Sequence, residues 1–217
     1  MKQAGNFITF EGGEGAGKTT QVSLLAKKLS EDYGLKVHVT REPGGDEIGE
    51  KIRSVLKARH ISGMDPICET LLMFAARRDH FVKLIAPQLE QGYFVICDRF
   101  YDSSLVYQGL LKHVSIVDIL QLKQITLGNF EPDLTVILDV SAATSTARIA
   151  TRHLIADEYD LMNQEKHEIV RKGFQKIAEI FSFRSVLLNA EGSTKIVFAK
   201  VLKAVHGKFP YLNRVHE

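Results

Sequence analysis

The sequence has few of the features that mark secreted, zinc-binding or membrane-spanning proteins. Its 217 residues include two cysteines, Cys68 and Cys97, which form neither a C-x-x-C pair nor part of a four-ligand Cys/His pattern. We therefore expect a reducing compartment, the cytoplasm. No apolar run approaches the roughly 18 residues that a membrane helix needs, and the first residues lack the apolar region of a signal peptide. We expect no membrane partner.

The charge is nearly balanced. The chain has 28 Lys and Arg residues against 26 Asp and Glu residues, a net charge of +2, and the basic residues are dispersed. Charge therefore gives no reason to expect a nucleic-acid partner. The hydrophobic content of 45% and charged content of 25% are typical of a globular protein, and the length fits one domain with a substantial core.

One segment carries a nucleotide-binding pattern. Residues 12–19 read Gly-Gly-Glu-Gly-Ala-Gly-Lys-Thr and match G-x-x-x-x-G-K-[ST], between a strand pattern and an amphipathic helix pattern. Glycines let backbone N–H groups surround phosphate oxygens, and the helix N-terminus adds donors. We expect Lys18 to reach the β- and γ-phosphates and Thr19 to ligate Mg²⁺. The predicted phosphate-binding residues are Gly12, Gly13, Glu14, Gly15, Ala16, Gly17, Lys18, Thr19 and Thr20.

Strand and helix patterns alternate along the chain. Short apolar runs predict strands at 7–11, 36–40, 93–98, 134–139 and 185–189. Helical patterns lie near 18–33, 48–57, 66–91, 103–109, 115–128, 142–152, 164–181 and 193–206. This alternation predicts an α/β fold, a five-stranded parallel sheet with helices on both faces. We expect a single domain over 1–217, with a mobile flap at 153–163 and a loosely held tail from Gly207.

Polar residues end two further predicted strands, at the sheet edge where such folds bind ligands. Asp98 ends the third strand in the position of a Walker B carboxylate, which would hold Mg²⁺ directly or through water. The fork of Arg99 suits bidentate phosphate binding. The second strand ends in Arg41 and Glu42 before a Pro-Gly-Gly turn, which could approach a ligand or could be a surface turn with a solvated charge pair.

Two helical segments offer groups that suit a base and a sugar. Phe74 and Arg78 are four residues apart and share a helix face, so the ring could stack on a base while the arginine binds its edge. A simple core position for Phe74 is an equal alternative. Residues 100–109 are rich in hydroxyl and amide groups close to the expected phosphates. These residues alone do not identify the base.

Taken together, the segments resemble the thymidylate kinase family. The matching blocks are FEGGEGAGKTT (10–20), REPGG (41–45), LMFAARRDH (72–80), DRFYDSSLVYQG (98–109) and PDLTVILDV (132–140). The resemblance implies a P-loop NTPase of the nucleoside monophosphate kinase type with a short lid at about 153–163. It also implies a homodimer and the transfer of the γ-phosphoryl group of ATP to dTMP with Mg²⁺.

The resemblance further implies roles for single residues toward dTMP. Glu14 would receive the deoxyribose 3′-hydroxyl, Phe74 would stack on thymine, and Arg78 would donate to a thymine carbonyl oxygen. Arg99 would hold the 5′-phosphate, and Tyr107 would crowd the 2′ position and exclude ribonucleotides. The other positions implied near the base or the acceptor phosphate are Ser104, Gln108 and Arg41.

The chain departs from the family pattern in the lid. Some members carry a catalytic arginine at the position of Gly15, so this chain resembles the bacterial type, whose basic residues come from the lid. There the pattern Asp-Arg-aromatic-Glu reads Asp-Glu-Tyr-Asp at 157–160, with Glu158 in place of the arginine. Arg148 and Arg152 share a helix face just before the lid and are the best replacements. The expected catalytic residues are Lys18, Arg99, Arg148 and Arg152.

Three alternatives remain open on the sequence. Another nucleoside or nucleoside-monophosphate kinase would share the phosphate loop and differ in the base pocket. A nucleotide switch such as a GTPase is a different class, but the guanine-reading Asn-Lys-x-Asp motif is absent from the sequence. The third alternative is a catalytically impaired relative of the family, which Glu158 in place of the lid arginine suggests.

Overall fold

The fold is built on a five-stranded parallel sheet. The structure, a computed structural model, describes residues 5–58, 63–151, 159 and 161–216. The strands are β1 (Asn6–Glu11), β2 (Val37–Arg41), β3 (Phe94–Asp98), β4 (Leu134–Asp139) and β5 (Ser185–Asn189). Their order in the sheet is β2-β3-β1-β4-β5. The α/β prediction is confirmed, and each strand lies within one residue of its predicted bounds.

Helices connect the strands. They are α1 (Lys18–Glu31), α2 (Glu47–Lys57), α3 (Pro66–His80), α4 (Ala86–Glu90), α5 (Tyr101–Ser104), α6 (Ile116–Leu127), α7 (Ala142–Ala150), α8 (Gln164–Ile180) and α9 (Thr194–Lys208). Two π-helical segments, Phe81–Ile85 and Leu105–Leu111, continue α3 and α5. The helix predicted at 66–91 is thus α3, a π segment and α4 in succession. A 3₁₀ helix covers Pro210–His216.

Hydrophobic cores cover both faces of the sheet. Ile8 and Phe7 belong to different cores because successive strand residues point to opposite faces. One core joins the sheet to α1 and α9, through Leu25 and Val201 among others. The other joins it to α6, α8 and the π segment Leu105–Leu111. Buried apolar strands on both faces are what short, nearly continuous apolar runs predict.

The end of the chain is packed, so the prediction of a loosely held tail from Gly207 is wrong for residues 207–212. Helix α9 runs on to Lys208, and Phe209 and Leu212 after it are buried. The ring of Phe209 packs edge-on against Phe94 of β3, with centroids 5.5 Å apart. Periodicity missed this contact because two apolar side chains after a helix are enough to fasten a short tail to a core.

The sheet topology brings distant polar residues to one edge. Strand β1 is central, and parallel pairing sets Phe10 beside Asp98 and Asp98 beside Arg41. The segments that follow β1, β2 and β3 therefore meet at the carboxyl edge of the sheet. Cys97 in β3 is buried and Cys68 in α3 is exposed, and both are free thiols. Among the described residues no helix is both long and apolar enough to span a bilayer.

Candidate active site

The phosphate loop joins the centre of the sheet to α1. Gly12, Gly15 and Gly17 have φ values of 129°, 69° and 92°, a region of backbone conformation that residues other than glycine rarely adopt. A Cβ on Gly15 would also lie 2.6 Å from the carbonyl oxygen of Ser145 in α7. The loop therefore needs glycine both for its backbone path and for its close approach to α7.

Lys18 lies folded into this loop. Its Nζ donates to the carbonyl oxygens of Gly12 and Gly13, at 3.0 and 2.8 Å. Burial, and then the nearby guanidinium of Arg99, lower the pKa of Lys18 to about 8. An anion in the loop would favour the charged form again, so the lysine is electrostatically suited to bind phosphate.

The two predicted metal ligands lie together at the mouth of the loop. The Thr19 hydroxyl donates to Asp98 Oδ2 at 2.6 Å. Hydroxyl and carboxylate oxygens suit Mg²⁺, which in nucleotide sites takes one or two protein ligands and completes its shell with water and phosphate. The described residues hold no cluster of three or more His, Cys, Asp or Glu that could bind a metal unaided. The residues present thus fit a nucleotide-borne Mg²⁺ rather than an all-protein metal cage.

Three of the predicted acceptor residues meet beside the loop. Arg99 Nη2 forms an ion pair with Glu14 Oε1, and Arg99 Nη1 donates to the Gly12 carbonyl at 3.1 Å. The Tyr107 hydroxyl donates to the same Glu14 oxygen at 3.3 Å, and its ring lies under the Arg99 guanidinium, 5.1 Å from centroid to carbon. Burial raises the pKa of the Tyr107 hydroxyl well above its ordinary value. A charged, largely desolvated cluster thus adjoins Lys18.

A buried carboxylate that sequence reasoning missed fixes the backbone at Arg99. Arg99 has a φ of 74°, which is strained for a residue with a side chain. Glu11 accepts a hydrogen bond from the Phe100 N–H at 2.7 Å and from the Ser103 hydroxyl at 2.6 Å. Burial, and then the charge of Asp102, raise the pKa of Glu11 to about 7. A carboxylate in an apolar strand directly before the phosphate loop was the signal that could have revealed it.

The arginine that contacts Phe74 is Arg77, so the structure does not bring the predicted pair Phe74 and Arg78 together, and the roles of these two residues toward dTMP stay predictions. The Arg77 guanidinium carbon lies 4.6 Å from the Phe74 ring centroid, and Nη1 donates to the Ser104 hydroxyl at 3.2 Å. Arg78 Nη1 instead donates to the Thr126 carbonyl of α6 at 2.8 Å. Positions i+3 and i+4 both neighbour position i on a helix, and tertiary packing chose between them. The Phe74 ring is itself buried in the core.

Glu42 holds Arg77 in place. Arg77 Nε donates to Glu42 Oε2 at 2.6 Å, and His80 Nδ1 lies 3.0 Å from the other oxygen. Burial opposes ionisation of Glu42, but Arg77 and His80 outweigh it and lower the pKa of this carboxyl. The alternative of a solvated charge pair is therefore wrong for Glu42. Arg41, half exposed, pairs with Glu50 at 2.6 Å, and its role near the acceptor phosphate stays a prediction.

Gln108 and a lid residue extend the cluster. Gln108 Nε2 donates to Glu69 Oε1 at 2.7 Å and to the Tyr159 hydroxyl at 3.3 Å. The Tyr159 and Tyr107 rings lie edge to face, with centroids 4.8 Å apart. Of the predicted lid, 153–158 and 160 lie outside the described residues, as do Arg152 and Glu158.

Arg148 lies on the donor side of the site. Its guanidinium donates to the carbonyl oxygens of Gly15, at 3.4 Å, and Ala190, at 3.1 Å. It therefore touches the phosphate loop from α7, and its catalytic role stays a prediction. Arg171, which follows the lid, forms a two-point ion pair with Asp139 at the end of β4, with distances of 2.7 and 3.1 Å.

A parallel sheet, a glycine loop with its lysine, and a neighbouring acidic strand end define a P-loop NTPase. A second cluster of arginines and hydroxyls beside the loop is the arrangement of a nucleoside monophosphate kinase. The family model for thymidylate kinase matches residues 10–201. The chain belongs to the thymidylate kinase family and is an enzyme.

Relatives and a solved structure agree with this assignment. The chain is 46% identical over 206 residues to thymidylate kinase of Rhodopseudomonas palustris strain ATCC BAA-98, covering 93% of this chain and 88% of the relative. It is 40% identical over 200 residues to thymidylate kinase of Bacillus licheniformis, covering 91% and 93%. The crystal structure of thymidylate kinase from Ehrlichia chaffeensis superposes with a TM-score of 0.77 at 37% identity, covering 94% of this chain and all of that one.

Proposed function

We propose that the chain transfers the γ-phosphoryl group of ATP to dTMP, giving dTDP and ADP in deoxythymidine nucleotide biosynthesis. This is the activity of the family to which it belongs. The observation that carries the proposal is the adjacency of two anion sites. Lys18 lies in the phosphate loop, and the Arg99 cluster lies beside it, with Arg99 and Lys18 both bound to the Gly12 carbonyl.

The reaction needs positioning and charge neutralisation more than covalent chemistry. Two phosphate anions must approach each other, and Lys18 and Arg99 offer cations to one anion each. Mg²⁺, held by Thr19 and Asp98, would neutralise charge on the donor phosphates. The acceptor phosphate is already an anionic nucleophile, so no general base is required. Arg148 and Arg152 are the proposed further cations.

On the acceptor side, binding of dTMP would rearrange an existing ion pair. The 5′-phosphate would compete with Glu14 for Arg99, and the released Glu14 carboxylate would accept the 3′-hydroxyl of the sugar. Tyr107, packed against both residues, would limit space at the 2′ position. Arg77, Ser104 and Gln108 would face the base, with Phe74 behind Arg77.

We also propose a homodimer. Apolar side chains are exposed along two packed helices, among them Leu71 of α3 and Val117 and Ile125 of α6, which are 50%, 63% and 76% exposed. Exposed apolar side chains on two neighbouring helices support association of two copies. Sedimentation at micromolar concentration should give a dimer, and Val117→Glu should give a monomer. Ile180→Glu, at a position on α8 that is 57% exposed, is the matched control. A monomeric wild type would refute the proposal.

The domain boundaries and the cellular compartment complete the proposal. We propose one P-loop kinase domain over 1–217 with its lid near 153–163. Both cysteines are free thiols, which supports a reducing compartment, the cytoplasm.

The first test is a substrate panel. Purified protein with ATP and Mg²⁺ is assayed against dTMP, dUMP, dCMP, dGMP, UMP and thymidine, scoring ADP and the diphosphate product. We expect a clear preference for dTMP. Preference for another acceptor would replace the proposed substrate, and ATP binding without transfer to any acceptor would favour an impaired relative.

A further inference from the structure

The amide of Gln108 is held in one orientation by a carboxylate. Gln108 is buried in the π segment Leu105–Leu111, and its Nε2 lies 2.7 Å from Glu69 Oε1. An ionised carboxylate only accepts hydrogen bonds, so the amide end that faces it must be the nitrogen. Burial opposes ionisation of Glu69, but hydrogen bonds from Lys112, Tyr159 and Gln108 outweigh it and lower its pKa. The carboxylate therefore decides which end of the amide is which.

The rest of the cluster completes this restraint. The Tyr159 hydroxyl donates to Glu69 Oε1 at 2.6 Å and accepts from Gln108 Nε2 at 3.3 Å. Lys112 Nζ donates to the other carboxylate oxygen at 2.6 Å. The amide nitrogen of Gln108 thus has two acceptors, and its carboxamide cannot turn over without losing both.

The opposite end of the amide is unsatisfied. Gln108 Oε1 is buried and has no hydrogen-bond partner among the described residues. Leaving a buried acceptor unpaired destabilises the folded protein, so such an atom calls for an explanation. Ser104, one turn earlier at the end of α5, contacts Arg77, and Tyr107 next to Gln108 contacts Glu14. The unpaired oxygen therefore belongs to the segment that adjoins the proposed acceptor site.

We propose that Glu69 is a positioning residue that sets base specificity through Gln108. By holding the amide nitrogen, it leaves only an acceptor oxygen for the substrate base. Thymine and uracil carry an N–H at ring position 3 and can donate to that oxygen. Cytosine has a lone pair at the same ring position, so an oxygen there would repel it. The inference rests on the proposed function and adds the reason why cytosine is rejected.

The test compares dTMP, dUMP and dCMP in the full-length Glu69→Gln variant. A glutamine at position 69 can offer either its oxygen or its NH₂ group to Gln108. The Gln108 amide can then also adopt the reversed orientation, in which its nitrogen faces the base. We expect the ratio of kcat/KM for dCMP over dTMP to rise at least about tenfold, which corresponds to about one hydrogen bond. The dUMP/dTMP ratio should not change, because both bases carry the ring N–H.

Two further variants separate orientation from general loosening. Tyr159→Phe removes one acceptor of the amide and leaves Glu69, so it should move the dCMP/dTMP ratio in the same direction but less; it also serves if Glu69→Gln does not fold. Glu179→Gln, the same chemical change on the exposed face of α8, should leave every ratio unchanged. Calorimetric binding of the three monophosphates without ATP should reproduce the order of the kinetic ratios.

The outcomes distinguish this inference from the proposed function. A wild type that does not prefer dTMP over dCMP overturns both. A wild type that prefers dTMP, with the dCMP/dTMP ratio unchanged in Glu69→Gln and Tyr159→Phe, overturns only the role of Glu69. Equal increases for dUMP and dCMP relative to dTMP would indicate a widened pocket and would also overturn it.

Discussion

The donor and acceptor sides of this site are built in different ways. The donor side is one continuous segment, residues 12–19, in which the backbone does most of the binding and Lys18 rests on the carbonyls of its own loop. The acceptor side is assembled from four segments, which supply Glu42, Arg77, Arg99 and Gln108. A phosphate group has one shape and can be bound by a local motif. A base and sugar need side chains that only the tertiary fold can bring together.

The two sides also differ in how they are stabilised. On the acceptor side the charges are buried in pairs, and removing one partner of a buried pair typically costs about 3–5 kcal/mol because the other charge stays behind. On the donor side the hydrogen bonds of Lys18 to described residues end on the neutral carbonyls of Gly12 and Gly13. Donor-side substitutions should therefore reduce chemistry with little loss of stability, whereas acceptor-side substitutions should reduce both.

The largest effect is expected at Lys18. Lys18→Ala removes the cation that neutralises the transferred phosphoryl group, and we expect kcat to fall by about 1,000-fold. The melting temperature should stay within about 2 °C, because the hydrogen bonds that are lost end on neutral carbonyls and no charged partner of those bonds is left behind. Lys27→Ala, on the exposed face of the same helix, is the control and should keep full activity. A fall in kcat of less than tenfold would contradict the role of Lys18.

Arg77 should be the most costly acceptor-side position for stability. Arg77→Met leaves the buried Glu42 beside His80 but without its arginine, and we expect the free energy of unfolding to fall by about 3 kcal/mol and the KM for dTMP to rise. Arg78→Met is the matched control on the next residue, where about 1 kcal/mol or less is expected because the bond that is lost ends on a neutral carbonyl and leaves no buried charge. Urea unfolding of both variants measures the difference, and equal losses would remove Arg77 from this role.

The same contrast explains how far the sequence could be interpreted. The phosphate loop, the strands and the position of Asp98 follow from local patterns, because turn glycines and apolar periodicity act over a few residues. Local patterns do not predict that Arg77 rather than Arg78 contacts Phe74, because both positions neighbour Phe74 on an ideal helix. The difference comes from the tertiary fold, in which Arg77 binds Glu42 and Arg78 binds a carbonyl of α6. Glu69 was missed because a buried carboxylate on a helix is recognisable only once its donors are known, whereas Glu11 could have been noticed from its place in an apolar strand.

Glu11 links the two sides and should make stability depend on pH. Its pKa of about 7 in the folded protein exceeds the ordinary 4.5, so the folded state favours the protonated form. The contribution of Glu11 to the free energy of unfolding is therefore largest below pH 4.5. It is lost as the pH rises to about 7 and amounts to on the order of 3 kcal/mol. Glu11→Gln cannot ionise and should lose this part of the pH dependence.

The measurement is the difference in unfolding free energy between Glu11→Gln and wild type from pH 5 to 8. It should increase in favour of the variant as pH rises, whereas Glu31→Gln, on the surface of α1, should give a flat difference. A flat difference for Glu11→Gln would mean that the carboxylate is already ionised at low pH. The variant should also raise the KM for dTMP, since Glu11 holds the Phe100 N–H beside Arg99.

The smallest effect is expected at Tyr107, where the two sides touch. Tyr107→Phe loses the 3.3 Å bond to Glu14 but keeps the ring, and it should bind dTMP almost normally. Tyr107→Ala removes the ring that packs under Arg99 and against Tyr159, and it should narrow the preference for dTMP over its ribose analogue by about tenfold. The kcat/KM ratio of the two nucleotides measures this. An unchanged ratio in Tyr107→Ala would assign sugar selection to Glu14 alone, and a changed ratio in Tyr107→Phe would assign it to the hydroxyl rather than to the bulk of the ring.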